Sequence, residues 1–267
     1  MDRQITLFKN IDIGYVPPTP ITKYFNNSSL VKVREKLIAY ASRYGFPISY
    51  AQEQNGHLVQ NIFPIQKTEN QQISTSSKIE LGLHTEAAFH PYKPSAVLLL
   101  CLRGDPQAVT TYAYVDEIVT HLKKSTIDVL NQPWFVTSID ESFRTHNEPD
   151  MELFCSILRK KYDETETLYE LTYDEVLMRG INPQAEEALN ELNDAIRKSI
   201  REIILESGDL LVFNNRTTIH GRRPFQARYD GTDRWLQRIL SIDSAVPRQH
   251  KSGHTIITKF GQTAKVQ

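Results

Sequence analysis

The sequence predicts a mainly β domain with flanking helices. Four apolar-rich runs have the length of strands, whereas two longer stretches repeat apolar residues at the three- and four-residue spacing of a helix. The chain has 267 residues, which is within the range of one large domain with a substantial core. We therefore predict a single domain, residues 1–267.

The predicted elements begin with a helical N-terminal part. The proline-rich run Val16-Pro17-Pro18-Thr19-Pro20 predicts a stiff segment near the N-terminus. A helix is predicted over residues 29–44. Its apolar side consists of Val31, Val33, Leu37 and Ile38. Strands are then predicted over residues 46–50, 57–63, 96–102 and 208–213.

A second long helix is predicted over residues 183–206. Pro183 opens it, because proline is well tolerated in the first helical turn. The apolar residues that recur at helical spacing are Ala185, Ala188, Leu189, Leu192, Ile196, Ile200 and Ile203. Gly208-Asp209 then turns the chain into the last of the predicted strands.

Composition and charge disfavour several classes of partner. A formal net charge of -1 and a pI near 6.7 provide no basic field for nucleic acid or an anionic membrane. Two cysteines, Cys101 and Cys155, do not make a disulfide framework. The N-terminus lacks the apolar stretch of a signal peptide, and no segment approaches a membrane span of roughly 20 apolar residues. We expect a cytoplasmic protein with no nucleic-acid or membrane partner.

The chemistry is indicated by His84 and Glu86, which are separated by one residue. On an extended strand, residues i and i+2 point to the same side, so both can reach one metal while Thr85 faces away. His220 can supply a third ligand from an opposed strand. Two imidazoles and one carboxylate hold iron(II) on one face and leave positions for a cosubstrate and dioxygen. We predict that these three residues bind iron and are catalytic.

Other readings of the same residues stay open at this point. His-x-Glu followed by a distant histidine also arises by accident in a chain with 8 histidines and 32 acidic residues. A zinc hydrolase could use these ligands with a metal-bound water, although no His-Glu-x-x-His signature is present. A metal-dependent cupin isomerase could share them, and a non-catalytic sensor could bind the cosubstrate without turnover.

Two arginines follow the second histidine. Arg234 lies fourteen residues after His220, and Arg238 follows four residues later in an apolar-rich run. If this run is a strand, the even spacing puts both arginines on one face. A guanidinium binds a carboxylate through two parallel hydrogen bonds. Two inward arginines near iron therefore favour a dicarboxylic cosubstrate and an amino-acid substrate over two surface charges.

These motifs resemble the clavaminate-synthase-like branch of the iron(II)/2-oxoglutarate-dependent oxygenases, within the TauD/TfdA superfamily. The similarity covers roughly residues 50–242, which would be the core, and its most specific block is His220-Gly221-Arg222-Arg223-Pro224-Phe225 to Arg238. Hydroxylases of free arginine or asparagine are the most similar group, and they share His-x-Glu. The resemblance implies a double-stranded β-helix core, the jelly-roll or cupin-like barrel.

The resemblance also implies roles for individual residues. Arg234 would grip the distal carboxylate of 2-oxoglutarate, helped by a hydroxyl of Thr110 or Thr111, of which we favour Thr111 on spacing. Arg238 would bind the α-carboxylate of the substrate, with Ser74 beside it. Glu86 would also accept a hydrogen bond from the substrate's α-amine. The cofactors would be iron(II), 2-oxoglutarate and dioxygen.

Further substrate contacts would come from a lid over about residues 136–180. An aspartate-x-serine of the relatives' lid matches Asp140 and Ser142, and an acidic patch that receives a basic side chain matches the region of Asp174. For Asp140 and Asp174, an ordinary solvated charge in a loop is the equally weighted alternative. At 267 residues, the chain is shorter than most arginine hydroxylases, which puts side-chain specificity in doubt.

The predicted reaction is hydroxylation of C3 or C4 of a free L-amino acid, with arginine or a similar basic amino acid as first choice. Succinate and CO2 would be the coproducts. Asparagine, lysine, a carrier-bound amino acid or a peptide remain alternatives, as do desaturation and cyclisation by the same chemistry. The presence of Glu86 argues against a halogenase, in which a small residue leaves room for chloride.

Overall fold

The computed structural model describes residues 5–22, 28–143, 152–162 and 167–258. These parts of the chain contain mostly strands. The described helices are α1 (Val31–Ala41), α2 (Val115–Thr120), α3 (Lys124–Leu130) and α4 (Pro183–Ser199). The predicted lid lies partly outside the described residues, which omit 144–151 and 163–166.

Seventeen strands run through the described residues. In chain order they are β1 (Thr6–Phe8), β2 (Phe46–Tyr50), β3 (Gln60–Ile62), β4 (Leu81–His84), β5 (Ala96–Arg103), β6 (Thr110–Tyr114), β7 (Phe135–Thr137), β8 (Leu153–Cys155), β9 (Leu158–Tyr162), β10 (Thr167–Leu171), β11 (Met178–Gly180), β12 (Arg201–Ile203), β13 (Leu210–Asn214), β14 (Thr218–Arg222), β15 (Trp235–Ile242), β16 (Lys251–Ser252) and β17 (Thr255–Ile256).

Two sheets form the centre of the fold. The larger has eight strands in the order β1-β13-β5-β15-β2-β17-β16, and β3 also pairs with β15. The smaller has four strands in the order β12-β6-β14-β4. Two peripheral sheets, β11-β7-β8 and β10-β9, belong to the segment predicted as a lid.

The two central sheets face each other across one apolar core. Side chains alternate along a strand, so β5 directs Val97, Leu99 and Cys101 to one face and the intervening leucines to the other. The same core cluster includes Tyr112 and Tyr114 of β6. Helix α1 packs on the outer face of the larger sheet, while α2, α3 and α4 cover the smaller one.

Most of the predicted elements are present. The predicted strand 46–50 is β2, and the predicted helix 29–44 is α1 with a short 3-10 turn at each end. The runs 96–102 and 208–213 correspond to β5 and β13, whereas the run 57–63 contains only the three-residue strand β3. Helix α4 begins at the predicted proline, after Asn182 accepts a hydrogen bond from the Ala185 amide at 2.8 Å.

The predicted end of the second helix is wrong. Helix α4 ends at Ser199, and the backbone of Ile200 is extended, with ψ of 130°. Residues Arg201–Ile203 form β12, which pairs with β6 at the edge of the smaller sheet. The isoleucines at 200 and 203 continue the helical spacing by chance, and pairing with a strand about ninety residues earlier decides the local structure.

Among the described residues, no helix combines the length and the apolar character needed to cross a membrane.

Candidate functional site

Three side chains meet at the edge of the smaller sheet. His84 is the last residue of β4, and His220 lies directly opposite it on β14. One ligand atom each from His84, Glu86 and His220 lies within 4.8 Å of the other two. The structure therefore brings together the predicted histidine pair and carboxylate.

The extended strand assumed for His84 and Glu86 ends earlier than predicted. Strand β4 stops at His84, and the Thr85 amide donates to the Tyr173 carbonyl at 2.8 Å. The Thr85 hydroxyl is buried against the same backbone, so it faces away from the metal ligands as predicted. Glu86 is held by Asn215, whose side-chain oxygen accepts from the Glu86 amide at 2.7 Å. Asn215 was not identified from the sequence.

The two imidazoles are held in different ways. Nδ1–H of His84 donates to the Gly82 carbonyl at 2.8 Å, which leaves Nε2 with a lone pair for a metal. The His220 ring stacks on Phe213, with centroids 4.6 Å apart and planes 15° apart. Burial lowers the pKa of His220 well below its ordinary value, and His84 and Arg238 lower it further. His220 is therefore neutral and able to bind a metal.

The donor set fits iron(II). Oε2 of Glu86 is buried, has no hydrogen-bond partner among the described residues and lies 3.9 Å from Nε2 of His220. A buried carboxylate oxygen without a partner is costly unless a cation completes it. Two neutral imidazole nitrogens and this oxygen provide the facial set that suits non-haem iron(II).

Arg238 lies next to this set and is surrounded by polar side chains. Its guanidinium donates to Oε1 of Glu86 at 2.8 Å, to Oε1 of Glu53 at 2.8 Å and, through Nε, to Gln60 at 3.0 Å. Burial raises the pKa of Glu53, although the Arg238 cation opposes the shift. Sequence reasoning missed Glu53 and Gln60, because neither belongs to a motif and only the pairing of β3 with β15 brings Gln60 to Arg238.

Arg234 is also buried but, unlike Arg238, it is not paired with a carboxylate of the described residues. It is 7% exposed, and its guanidinium makes no ion pair or hydrogen bond within the part of the chain that the structure describes. Its nearest aromatic contact is the Phe225 ring, with a centroid 5.8 Å away. Burial lowers the pKa of Arg234 to about 10. An unpaired buried guanidinium is a ready site for an anionic ligand.

The register of the smaller sheet separates the two candidate threonines. Thr110 pairs with Arg222, and Tyr112 pairs with His220. Paired residues of an antiparallel ladder point to the same side, so Thr110 shares the inner face with His220. Thr111 pairs with Gly221 on the opposite face, where its buried hydroxyl has no partner among the described residues. The hydroxyl of Thr111, the residue favoured from spacing, therefore lies on the face of the sheet opposite to the metal ligand His220.

A cavity of about 650 Å³ opens beside the metal ligands. Its lining includes seven of the predicted site residues, namely Ser74, His84, Glu86, Asp140, Ser142, Asp174 and Arg238. His220, Arg234 and Thr111 do not line it. The predicted substrate residues thus share one cavity, and Arg234 lies away from it.

The described lining of the cavity is acidic. Among the described residues, five carboxyl side chains line it and Arg238 is the one guanidinium; the carboxyl side chains are Glu53, Glu86, Asp140, Glu141 and Asp174. Oδ1 of Asp174 accepts the amides of Val176 and Leu177 at 2.9 Å each, and Oδ1 of Asp140 accepts the Ser142 amide at 2.7 Å. Burial raises the pKa of Asp174, although His84 and the two backbone amides oppose the shift.

Comparison with known proteins agrees with this geometry. Residues 24–240 match the family described as "Taurine catabolism dioxygenase TauD, TfdA family". An L-lysine 3-hydroxylase of Catenulispora acidiphila is 31% identical over 252 residues, covering 92% of this chain and 69% of the relative. An L-asparagine oxygenase of Streptomyces coelicolor is 34% identical over 234 residues, covering 87% and 68%.

Solved structures agree as well. Asparagine oxygenase in complex with Fe(II), 3-hydroxyasparagine and succinate superposes with a TM-score of 0.84 at 31% identity, covering 96% of this chain and 80% of that one. The non-haem iron oxygenase OrfP with Fe and alpha-ketoglutaric acid gives 0.83 at 30% identity, also covering 96% and 80%. The chain therefore belongs to the TauD/TfdA family of iron(II)- and 2-oxoglutarate-dependent oxygenases.

Proposed function

We propose that this enzyme hydroxylates C3 or C4 of a free L-amino acid with a basic side chain, arginine or one similar to it. The observation that carries the proposal is the charge of the cavity, in which five carboxyl groups line the walls and Arg238 is the one guanidinium among the described residues. A substrate with two positive groups and one negative group complements this arrangement. Relatives that act on such amino acids include an L-lysine 3-hydroxylase and an L-ornithine/L-arginine 3-hydroxylase.

In this proposal, His84, Glu86 and His220 hold iron(II). When bound, iron and 2-oxoglutarate supply the oxidising chemistry: 2-oxoglutarate loses CO2 and becomes succinate with one atom of dioxygen, and the other atom enters a C–H bond of the substrate. The protein positions the substrate and excludes water. Oε1 of Glu86 already accepts from Arg238, so its Oε2 is the oxygen that would bind the metal.

Arg234 and Arg238 each bind a different carboxylate ligand. Arg234 binds the distal carboxylate of 2-oxoglutarate, because it is buried and has no carboxylate partner among the described residues. Arg238 binds the α-carboxylate of the amino acid, and Glu53 joins Glu86 in receiving the α-ammonium group. This arrangement holds C3 and C4 nearest the metal ligands.

The side chain of the substrate extends toward the lid. Asp140 and Asp174 each commit one carboxylate oxygen to their own loop, so that the second oxygen can face a cation. Ser142 and Ser74 add hydroxyl groups along the cavity wall. A guanidinium or ammonium group between the two aspartates would relieve the raised pKa of Asp174.

The organisation of the chain is part of the same proposal. We place one domain over residues 1–267, with a core at about 50–242 and a lid at about 136–180. The two facing central sheets would constitute a double-stranded β-helix. Support comes from the shared apolar core of the two sheets and from a TM-score of 0.84 to asparagine oxygenase.

A substrate screen tests the proposal. The iron-loaded protein, prepared without oxygen, is given 2-oxoglutarate, oxygen and one L-amino acid at a time, and succinate and product masses are measured. We expect succinate to rise with a basic amino acid, together with a product heavier by one oxygen. A product lighter by two hydrogens would identify desaturation or ring closure, and succinate without any product would favour a carrier-bound or peptide substrate. Absence of succinate formation would contradict the proposal.

Variants of the aspartates test the substrate class. Asp174→Asn keeps the oxygen that accepts the backbone amides but removes the charge, so we expect the preference for a basic over a neutral amino acid to fall by about tenfold or more. Asp140→Asn should act in the same direction. Asp194→Asn, on the exposed side of α4, is the control. Unchanged preference in both cavity variants would remove the acidic-pocket argument.

The two neighbouring threonines offer a matched test of the cosubstrate site. We assign the helping hydroxyl to Thr110, because the register puts it on the face of His220 and Arg222. Thr110→Val should raise the KM for 2-oxoglutarate by about tenfold, the effect of one lost hydrogen bond to a charged group. Thr111→Val should leave this KM nearly unchanged. The reverse outcome in steady-state kinetics would restore Thr111.

A further inference from the structure

One wall of the amino-acid cavity is a loop that we call the wall segment, residues 69–80. Gln72, Ile73 and Ser74 of this segment line the cavity. It contains no regular strand or helix of its own, and several internal hydrogen bonds hold its shape, such as those from the Ser77 and Lys78 amides to the Glu69 carbonyl at 3.3 and 2.9 Å. Its position relative to the central sheets depends on its contacts outside the segment.

Arg222 provides the most extensive of these contacts. It lies two residues after His220 at the end of β14, and its guanidinium donates to the carbonyl and the hydroxyl of Ser76 and, at 3.1 Å, to the carbonyl of Ile79. The Phe225 amide adds a hydrogen bond to the Ser77 carbonyl at 2.8 Å. The strand that carries a metal ligand is thus tied directly to the wall of the substrate cavity.

Arg222 is a buried cation whose hydrogen-bond acceptors, among the described residues, carry no charge. It is 2% exposed, and its buried Nε has no hydrogen-bond partner within the described part of the chain. In the described parts of the chain it forms no ion pair with a carboxylate. The guanidiniums of Arg222 and Arg234 both lie over the Phe225 ring, with their Cζ atoms 5.1 and 5.8 Å from its centroid. Both cations are buried and share this contact, so they repel each other.

We infer that Arg222 is a positioning residue through which 2-oxoglutarate, bound at Arg234, fixes the wall of the amino-acid cavity. The inference rests on the proposed place of the cosubstrate at Arg234. A carboxylate there adds a negative charge beside both guanidiniums, reduces the repulsion between them and strengthens the hydrogen bonds of Arg222 to Ser76 and Ile79. Because coupling between two sites is reciprocal, the amino acid then binds more tightly once the cosubstrate is present.

Hydrogen exchange of the wall segment measures this coupling directly. The iron(II) protein is kept without oxygen, and exchange of peptides from residues 69–80 is followed with and without 2-oxoglutarate. In the native chain, we expect 2-oxoglutarate to slow this exchange by about fivefold or more, the lower end of ordinary coupling between sites. Arg222→Gln should lose this response while still binding 2-oxoglutarate. Ser76→Ala removes the hydroxyl that accepts from Arg222, so it should reduce the extent to which 2-oxoglutarate slows exchange.

Tyr229→Phe is the matched control. The Tyr229 hydroxyl contacts Ser77 Oγ at 3.2 Å and donates to Glu69 at 3.1 Å, so its removal loosens the same segment without touching Arg222. Exchange should be faster overall in this variant, but 2-oxoglutarate should still slow it. In kinetics, Arg222→Gln should raise the KM for the amino acid by about tenfold, as for one lost charge-assisted hydrogen bond, and the KM for 2-oxoglutarate far less.

The outcomes separate this inference from the proposed function. A native chain that binds 2-oxoglutarate but shows no slower exchange in the wall segment would overturn the inference and leave the proposed function intact. The same holds if Arg222→Gln and Ser76→Ala both keep the full response. Failure of the native chain to bind 2-oxoglutarate would overturn the proposed function and the inference together.

Discussion

Replacing His84 with alanine is expected to abolish both iron(II) binding and turnover. His84 offers Nε2 to the metal, and its Nδ1–H is committed to the Gly82 carbonyl at 2.8 Å. Loss of an outer partner of a metal ligand costs 10–100-fold in metal affinity, so loss of the ligand itself should cost more than about a hundredfold. Iron content after anaerobic loading and succinate formation measure the two effects separately.

The control for this substitution is His57→Ala. His57 is exposed, so its removal should change neither iron content nor succinate formation. Glu86→Ala and His220→Ala should behave as His84→Ala does, since the ligand atoms of all three residues lie within 4.8 Å of one another. Full iron occupancy and turnover in His84→Ala would show that the metal is held elsewhere.

Arg234→Ala should raise the requirement for 2-oxoglutarate far more than the requirement for the amino acid. Arg234 forms no ion pair with a carboxylate of the described residues, so its removal should affect mainly the ligand that we propose it binds. Truncation of one partner of a buried, hydrogen-bonded charge pair costs 2–5 kcal/mol, so we expect the KM for 2-oxoglutarate to rise on the order of a hundredfold. Steady-state succinate formation with each substrate varied in turn measures both requirements.

Arg238→Ala should have the opposite pattern, with the larger rise in the KM for the amino acid. Because this change also leaves Glu53 and Glu86 without their shared cation, Arg238→Lys, which keeps a positive charge but lacks the planar fork, is the better matched variant. Equal effects of Arg234→Ala on both requirements would remove its proposed role. Unchanged affinity for the amino acid in both Arg238 variants would remove the α-carboxylate contact.

Local patterns in the sequence predict much of the fold but not every boundary. Strand β2 and the start of α4 follow from apolar runs and from the proline after Asn182. The end of α4 does not, because residues Arg201–Ile203 become a strand only through pairing with β6. Contacts between distant parts of the chain override a helical spacing that happens to continue.

The candidate site likewise contains residues that sequence patterns predict and residues that they do not. His84, Glu86 and His220 could be predicted because metal binding restricts the types and spacing of the ligands. Spacing favours Thr111 over Thr110, whereas the register favours Thr110, since one residue of register moves a side chain to the other face of the sheet. Which hydroxyl binds the cosubstrate stays a proposal. Glu53, Arg222 and Asn215 belong to no motif, and only the packing brings them to the site.

Because Arg238 is paired with Glu53 and Glu86, an amino acid that binds here must exchange these internal ion pairs for new ones with its own charged groups. Before a substrate arrives, the guanidinium and the two carboxylates already satisfy one another. A zwitterion can replace these contacts group for group, so its affinity reflects the difference between two ionic networks. An amine without a carboxylate, or an acid without an amine, would break the internal pairs and complete only half of the new ones, which is a strong basis for rejecting both.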